Sequence, residues 1–380
     1  MSLTSSRSVP LSILSSTGSD STSVLDKREG IFEVDTSKPW KLNGGTMGVC
    51  RVLYTPERLQ MIATQASAPD SPFYLDDRIG LVHDAMALAK SGHLKVSAVL
   101  ALMEAWASET EYLVWEGISD NFNILVATWW EDQRIQTQLR AFRRSLYGSI
   151  ARNLGIEYGK SDGPDVSQLR TITVGGAAAG GDELVLTELK TKFARYIAGE
   201  EDAIPSDLLD TTFTQAIKHG GKDEYDAVLE IYEAGRGPGG HIAAIRALGA
   251  TEDSALFERT LTLIRTKSRN QDVVHFFAGL NANHKARRRV RDYFEQEYET
   301  LSERFKGTSA MRHFVTSTYS GYSTQEDLEH VRDFFKEKDT AWYSMALAQA
   351  IDSIKARIRW IERSTGDVRN YLDGRDVSVV

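Results

Sequence analysis

The sequence predicts a mainly α fold, an α-solenoid of helical hairpins preceded by a small partial β-sandwich. From Thr55 onward, apolar residues recur at steps of three and four between helix-start and helix-stop signals. Before that point, short β-rich runs alternate with turn residues. We therefore expect two domains: residues 1–54 form the partial β-sandwich with a flexible N-terminus, and residues 55–380 form a helical superhelix.

The β region is expected to hold about four short strands. An apolar run lies at residues 9–13, and further candidate strands lie at 31–34, 40–42 and 48–54. The first strands of a complete sandwich would precede this sequence, so one sheet edge would be unpaired, and unpaired edges invite association. We expect self-association or disorder in residues 1–35.

A helical hairpin between residues 74 and 115 sets the pattern for the rest of the chain. Its first helix carries one apolar stripe: Ile79, Val82, Met86 and Ala89. Asp76 and Asp77 suit the positive end of this helix, and Gly92 suits the left-handed conformation in which many helices end. The second helix carries the stripe Val96, Val99, Leu100 and Met103. Such a hairpin needs neighbours to cover its apolar faces.

Amphipathic helices with short connections continue to the end of the chain. They are expected near residues 56–66, 76–90, 95–106, 109–130, 132–153, 166–179, 182–198, 206–218, 222–234, 239–249, 253–266, 270–280, 284–305, 309–318, 324–336 and 340–364. No strict residue repeat is visible, so the repetition is one of form, which is typical of a degenerate α-solenoid.

Several ordered segments resemble the C-terminal region of zinc aminopeptidases. In the hairpin they are Asp77-Arg78, Asp84-Ala85-Met86-Ala87-Leu88-Ala89, Glu109-Thr110-Glu111-Tyr112 and Trp115. Before it, Lys38-Pro39-Trp40-Lys41-Leu42-Asn43 resembles a late strand of the β-sandwich of these enzymes, and Trp360-Ile361-Glu362-Arg363 extends the likeness toward the C-terminus. The resemblance covers residues 9–372 and is strongest to the puromycin-sensitive and fungal alanyl/arginyl branch.

Two departures from this resemblance stand out. Cys50 takes a place where the family usually has Tyr, and a partly buried substitution without chemistry is the preferred interpretation. Four glycines replace the usual alanines and polar residues: Gly175, Gly176, Gly180 and Gly181. Because glycine weakens a helix interior, we expect an irregular or mobile segment there.

The resemblance implies a chemistry whose residues this sequence lacks. The family binds zinc through His-Glu-x-x-His and holds the substrate's amino group with Gly-x-Met-Glu-Asn, in a domain that precedes the helical one. None of the eight histidines here is followed by Glu, and no two of them are four residues apart. We therefore expect no cofactor, no stoichiometric zinc and no hydrolysis of aminoacyl substrates by this chain alone.

The composition of the chain indicates which kinds of partner and which cellular location to expect. A net charge of −8 argues against a nucleic-acid partner, and no apolar run approaches the roughly 20 residues of a membrane span. Cys50 is the single cysteine, so no intrachain disulfide is possible. Together with a Ser/Thr-rich N-terminus that lacks the features of a secretory signal, this favours a cytoplasmic location.

One basic run is the candidate binding site: Lys285, Arg287, Arg288, Arg289 and Arg291. On a helix these side chains spread around the axis, so a solvated face is the default interpretation. The alternative is contact with an anion or a peptide carboxylate, for which the planar guanidinium is well suited.

Three other patterns are better explained by structure than by chemistry. Residues 235–240 are rich in glycine, but they lack the Gly-Lys-Ser/Thr of a phosphate loop, so a turn is preferred. The group Asp76, Asp77, His83 and Asp84 is better explained as a helix start than as a metal site. Trp129 and Trp130 are expected to pack in the core rather than to form a binding platform.

Three functions compete at this point. The first is a non-catalytic C-terminal domain of a zinc aminopeptidase, whose concave face forms the chamber wall for peptide and whose partner is a catalytic domain. The second is a reused scaffold with a new enzymatic activity, for which Cys50 and residues 175–181 are the places to look. The third is an adaptor that binds another protein in its groove. Metal analysis and peptidase assays separate the first two, and capture of a protein partner supports the third.

Overall fold

The computed structural model describes residues 8–235 and 237–375, and these residues form a mainly α-helical protein with seventeen α-helices and five short strands. The predicted fold class is confirmed at this level, whereas the solenoid stays a prediction. The described chain divides into two compact units. The first comprises the described residues up to 124, with 163–172 and 363–375; the second comprises 125–162 and 173–362, without residue 236.

The strands all lie in the first unit, at β1 (Val9–Pro10), β2 (Ile13–Ser15), β3 (Gly18–Asp20), β4 (Val24–Leu25) and β5 (Trp40–Lys41). Strands β1 and β4 pair antiparallel, with Val9 opposite Leu25. A second sheet has the order β3-β2-β5, and both of its pairs are antiparallel.

Two predicted strands, at residues 31–34 and 48–54, are wrong. Both segments are irregular, and Ile31 and Val49 are almost fully exposed. A run of β-forming residues becomes a strand only when a neighbouring strand pairs with it. Side chains hold the second segment instead: Asn43 Nδ2 donates to the carbonyl oxygen of Gly48 (3.2 Å), and Asp84 Oδ2 accepts from the N–H of Val52 (3.3 Å).

The helices follow in chain order. They are α1 (Pro56–Ala66), α2 (Leu75–Ser91), α3 (Val96–Ala105), α4 (Tyr112–Thr128), α5 (Gln133–Leu154), α6 (Pro164–Gly180), α7 (Glu183–Ile197), α8 (Leu209–His219), α9 (Lys222–Ala234), α10 (Pro238–Leu248), α11 (Ser254–Thr266), α12 (Asn270–Ala282), α13 (Arg287–Gln296), α14 (Tyr298–Arg304), α15 (Ala310–Tyr319), α16 (Gln325–Phe335) and α17 (Ser344–Asp373).

The first unit is built around the hairpin of α2 and α3, on which α1 packs. Thr55 caps α1 by accepting from the N–H of Arg58, and Gly92 ends α2 in the left-handed conformation, as the sequence predicted. The indole of Trp106 is buried and donates to the carbonyl oxygen of Ala63 (3.0 Å). The last turns of α17 join this unit where Asp367 accepts from the N–H of Ser97 (2.9 Å).

In the second unit, helices that are not consecutive in the chain pack against one another: α8 against α10, α10 against α12, and α12 against α15. Its core is rich in aromatic side chains, and Phe277 stands at its centre. The Phe277 ring lies 4.6 Å from that of Phe314 and 6.4 Å from that of Phe294. Offset and edge-to-face aromatic pairs of this kind add stabilisation beyond their buried area.

The single helix predicted at residues 284–305 is wrong in its continuity. The structure has a 3₁₀ turn at His284–Ala286, then α13, then α14, with Glu297 between the two helices. Glu297 leaves helical geometry (φ −94°, ψ 8°), which the apolar periodicity on either side of it did not reveal.

The irregular segment predicted at Gly175, Gly176, Gly180 and Gly181 is also wrong. Residues 164–180 form one unbroken helix, and only Gly181 has a positive φ (81°). Helix α5 approaches this helix closely: a methyl group on Gly176 would overlap the ring of Tyr147, and one on Gly180 would lie 2.6 Å from the backbone nitrogen of Arg144. The glycines therefore permit tight packing rather than disorder.

Three features expected from the sequence stay predictions. The self-association or disorder of residues 1–35 stays a prediction, and residues 1–7 lie outside the described part. Arg236, within the glycine-rich turn, also lies outside it. The domain boundary at residue 54 likewise stays a prediction, although the strands share a compact unit with α1–α3. Among the described residues, none of the helices is both long and apolar enough to cross a lipid bilayer.

Candidate functional site

The five basic residues singled out in the sequence lie on the 3₁₀ turn and the first turns of α13, and the structure sends them in different directions. Lys285 Nζ lies 2.6 Å from Glu252 Oε2. Arg289 pairs with Glu258, and its guanidinium lies 4.5 Å from the centre of the Phe257 ring. These two cations therefore already have exposed acidic partners, one in the loop between α10 and α11 and one on α11.

Arg288 and Arg291 turn toward Asp327 near the start of α16. Arg288 Nη1 lies 2.8 Å from Asp327 Oδ1, and the same guanidinium also pairs with Glu131. Arg291 pairs with Asp292 (2.8 Å) and reaches Asp327 at 4.0 Å. Two carboxylates on one guanidinium raise the pKa of Arg288, and they leave little positive charge for an external ligand.

Arg287 is the buried member of the run, and it meets a second arginine. Its Nη1 donates to the carbonyl oxygen of Gly321 (2.8 Å), and Arg357 Nη1 donates to the same oxygen (2.9 Å). Arg357 also donates to the carbonyl oxygen of Ala127 (3.0 Å). Neither arginine has a carboxylate within ion-pair distance among the described residues. In addition, the Nε of Arg287 is buried without a hydrogen-bond acceptor.

Arg287 and Arg357 belong to a group of basic residues around His284. We call this group the cationic cluster, and its members are Arg143, Lys218, His284, Arg287 and Arg357. Burial first, and then its four cationic neighbours, lower the pKa of His284 to about 3. Its imidazole is therefore neutral at physiological pH. Burial lowers the pKa of Arg357 to about 10, and burial together with the charge of Arg357 lowers that of Arg287 to about 10.

Lys218 brings the cluster into contact with solvent. It stands in the last turn of α8, where a cation suits the negative end of the helix dipole. Part of its side chain reaches solvent, although neighbouring protein atoms displace much of the water around its ammonium group. Its pKa is lowered, first by burial and then by Arg140, Lys285 and Arg143, while Glu252 acts in the opposite direction. Burial is the largest cause of each of these lowered pKa values, and for Lys218, His284 and Arg287 neighbouring cations add to it. An anion placed among these groups would stabilise their charged forms.

Sequence reasoning found one member of this cluster and missed four. Arg287 was found because it belongs to a local run, and His284 directly precedes that run, but its residue type alone did not single it out. Arg143, Lys218 and Arg357 come from three other helices, α5, α8 and α17, which no spacing rule links to the run. The contact between the basic run itself and a peptide carboxylate stays a prediction.

Asp77 and Trp129, for which the sequence favoured a structural role over a binding role, make structural contacts. Asp77 is fully buried and accepts from Lys41 Nζ (2.7 Å), from the N–H of Gly45 (2.7 Å) and from the N–H of Tyr74 (3.0 Å). Trp129 is buried 5.5 Å from Trp360. In the part of the chain that the structure describes, no group of three or more His, Cys, Asp or Glu side chains is placed to hold a metal ion.

Known proteins are similar in sequence to this chain over almost its whole length. The family model described as the ERAP1-like C-terminal domain matches residues 40–356. The alanine/arginine aminopeptidase of Saccharomyces cerevisiae is 29% identical over 365 residues, which are 95% of this chain and 42% of that protein. The puromycin-sensitive aminopeptidase of Caenorhabditis elegans is 22% identical over 93% of this chain and 38% of its own length. The chain thus spans about two fifths of the relatives that it resembles.

Proposed function

The chain belongs to the ERAP1-like C-terminal domain family, and we propose that it serves an aminopeptidase as a non-catalytic domain that holds peptide substrate. Relatives that it resembles are named as aminopeptidases, and it covers 42% of the length of one of them. In this proposal the cleaving groups lie elsewhere in such an enzyme, and this region contacts the part of the peptide that is distant from the bond being cut.

One observation carries the proposal, and it is the charge of the cationic cluster. Arg287 and Arg357 face each other across the Gly321 carbonyl without a carboxylate within ion-pair distance among the described residues. A buried positive charge without a counter-charge costs free energy even when carbonyl oxygens and, for Arg287, the Trp130 ring lie against it, and a carboxylate ligand would relieve that cost. The C-terminal carboxylate of a peptide is the anion that every unmodified peptide offers.

The hydrogen-bond donors of the cluster suit a carboxylate. Guanidinium groups donate two parallel hydrogen bonds to a carboxylate, and the unpaired Nε of Arg287 is a ready donor. The neutral imidazole of His284 can donate one further bond without adding charge. Each charge-assisted hydrogen bond contributes about 1.5–3 kcal/mol. Because association entropy offsets much of this gain, we expect weak binding.

The first prediction is that the isolated chain distinguishes a free-acid peptide from its C-terminal amide. The free acid should bind at least about tenfold tighter, because a charge-assisted contact at the lower end of this range, about 1.5 kcal/mol, already corresponds to slightly more than that factor. Replacing Arg357 by Gln should remove this preference. Fluorescence anisotropy with an N-terminally labelled peptide of mixed sequence measures both dissociation constants.

Arg289→Gln is the matched control, because Arg289 lies near the same turn but pairs with Glu258 outside the cluster. It should keep the preference for the free acid. Equal affinity of the wild-type chain for acid and amide would contradict the proposed contact. A preference lost equally in Arg289→Gln and Arg357→Gln would shift the contact to the basic run.

A further inference from the structure

A cavity of about 440 Å³ lies in the second unit, between α14, the start of α15 and the segment that follows α16. Its walls are aromatic: Tyr298, Phe305, Phe334, Trp342 and Tyr343. Its rim carries five carboxylates and two lysines; the carboxylates are those of Glu299, Glu303, Asp333, Glu337 and Asp339. Aromatic walls below an acidic rim are the surroundings that favour an organic cation.

The cavity already holds a cation from the chain itself. Lys338 Nζ lies 4.2 Å from the ring centre of Tyr298 and 4.7 Å from that of Phe334. Both distances lie within the range in which a ring face attracts an ammonium group. The rings are fixed by their neighbours, because the Tyr298 hydroxyl is hydrogen-bonded to that of Tyr343 and the two residues are buried.

Lys338 is held in this position by little else. It forms an ion pair with Glu299 (3.3 Å), whose side chain is 84% exposed, so solvent screens that interaction. The lysine side chain is a flexible four-carbon stem that can swing into solvent without a change in the backbone. A competing cation therefore needs to displace only a weakly held group.

Two further features of the cavity have no structural use within the described residues. Trp342 is 63% exposed at the edge of the cavity, which leaves a ring face open to a ligand. The hydroxyl of Ser302 in the wall is buried without a hydrogen-bond partner. Both are features expected of a binding site rather than of a filled core.

We propose that this cavity binds the side chain of a lysine or arginine from a peptide, and that Lys338 is a resident group which this side chain displaces. The apolar stem would lie along Trp342 and Phe334, and the charged end would take the place of Lys338 above the rings. This site is separate from the cationic cluster and attracts the opposite charge, so it does not depend on the proposed carboxylate contact.

The test uses peptides blocked at both ends, which carry no terminal carboxylate, so a failure of the proposed function does not affect it. One peptide contains a single lysine, and its partner has norleucine at that position. Lys338→Met should tighten binding of the lysine peptide by about threefold to tenfold, because the resident cation no longer competes. Trp342→Ala should weaken it by a similar factor. Isothermal titration calorimetry with the full chain measures both changes.

Lys306→Met is the matched control, because Lys306 lies on the same rim and carries the same charge, but it pairs with Glu303 (3.6 Å) instead of lying over these rings. It should change the affinity by less than about twofold, since exposed charges are screened. Equal binding of the lysine and norleucine peptides would overturn the proposal. So would equal affinity of Lys338→Met and Lys306→Met.

Discussion

Replacing Asp77 by Ala is expected to lower the free energy of unfolding by about 3–5 kcal/mol, the largest single effect predicted for this chain. The carboxylate of Asp77 is 0% exposed, and its ion-pair partner Lys41 is 4% exposed. Removing the carboxylate leaves a buried ammonium group without its counter-charge. It also removes the acceptor for the N–H groups of Gly45 and of Tyr74, the residue that directly precedes α2.

Asp76→Ala provides the matched control, because it removes the same group from the adjacent position of the same helix. Asp76 is exposed, so its loss should cost only about 0.3–1 kcal/mol through the helix dipole. Urea unfolding followed by tryptophan fluorescence measures both variants. The double variant Lys41→Met/Asp77→Ala should recover part of the loss, because it removes the unpaired charge. Equal stability of Asp76→Ala and Asp77→Ala would contradict the buried ion pair.

A methyl group at Gly180 is expected to destabilise the second unit by about 1–3 kcal/mol, although alanine is the better helix former. The new carbon would lie 2.6 Å from the backbone nitrogen of Arg144 and 2.8 Å from its Cα. Backbone atoms cannot turn aside as a flexible side chain can. Helices α5 and α6 would therefore have to separate, with a loss of packing along their contact.

Gly175→Ala tests the same substitution in the same helix without the clash. The nearest atom to its new methyl group is the Thr211 hydroxyl at 3.4 Å, so this variant should be up to about 1 kcal/mol more stable than wild type. Thermal unfolding monitored by circular dichroism compares the two changes. If both variants were stabilised alike, the close approach of α5 and α6 would be disproved, and the glycines would be mere helix weakeners.

Helix starts and ends were predictable because their causes are local. The capping of α1 by Thr55 and the left-handed Gly92 involve atoms within a few residues, and both occur as predicted. Strand formation at residues 48–54 was predicted wrongly, because it depends on a pairing partner that the segment itself cannot specify. Gly176 and Gly180 were misinterpreted for a related reason. Local helix propensity disfavours glycine at these positions, whereas the close approach of α5 requires it.

The candidate site was predictable only in part. Arg287 lies in a basic run that any reader of the sequence notices, but its burial and its neighbour Arg357 are consequences of packing between residues 70 positions apart. The same holds for Asp77, which the sequence marked as a helix start, whereas its pairing with Lys41 is visible only in three dimensions. Chemical roles that depend on contacts between residues far apart in the sequence can be assigned only when the fold is known.

The pKa of His284 tests the central claim, that a peptide carboxylate binds in the cationic cluster. In the free chain this pKa is lowered to about 3, so the imidazole binds its proton far less readily than in an unfolded chain. A carboxylate within about 4–6 Å favours the protonated form and raises the pKa. An NMR titration of the His284 imidazole, assigned with His284→Gln, measures this value with and without saturating peptide. The account predicts an increase of one pH unit or more with the free-acid peptide and none with its amide; an unchanged His284 pKa with both peptides bound would contradict it.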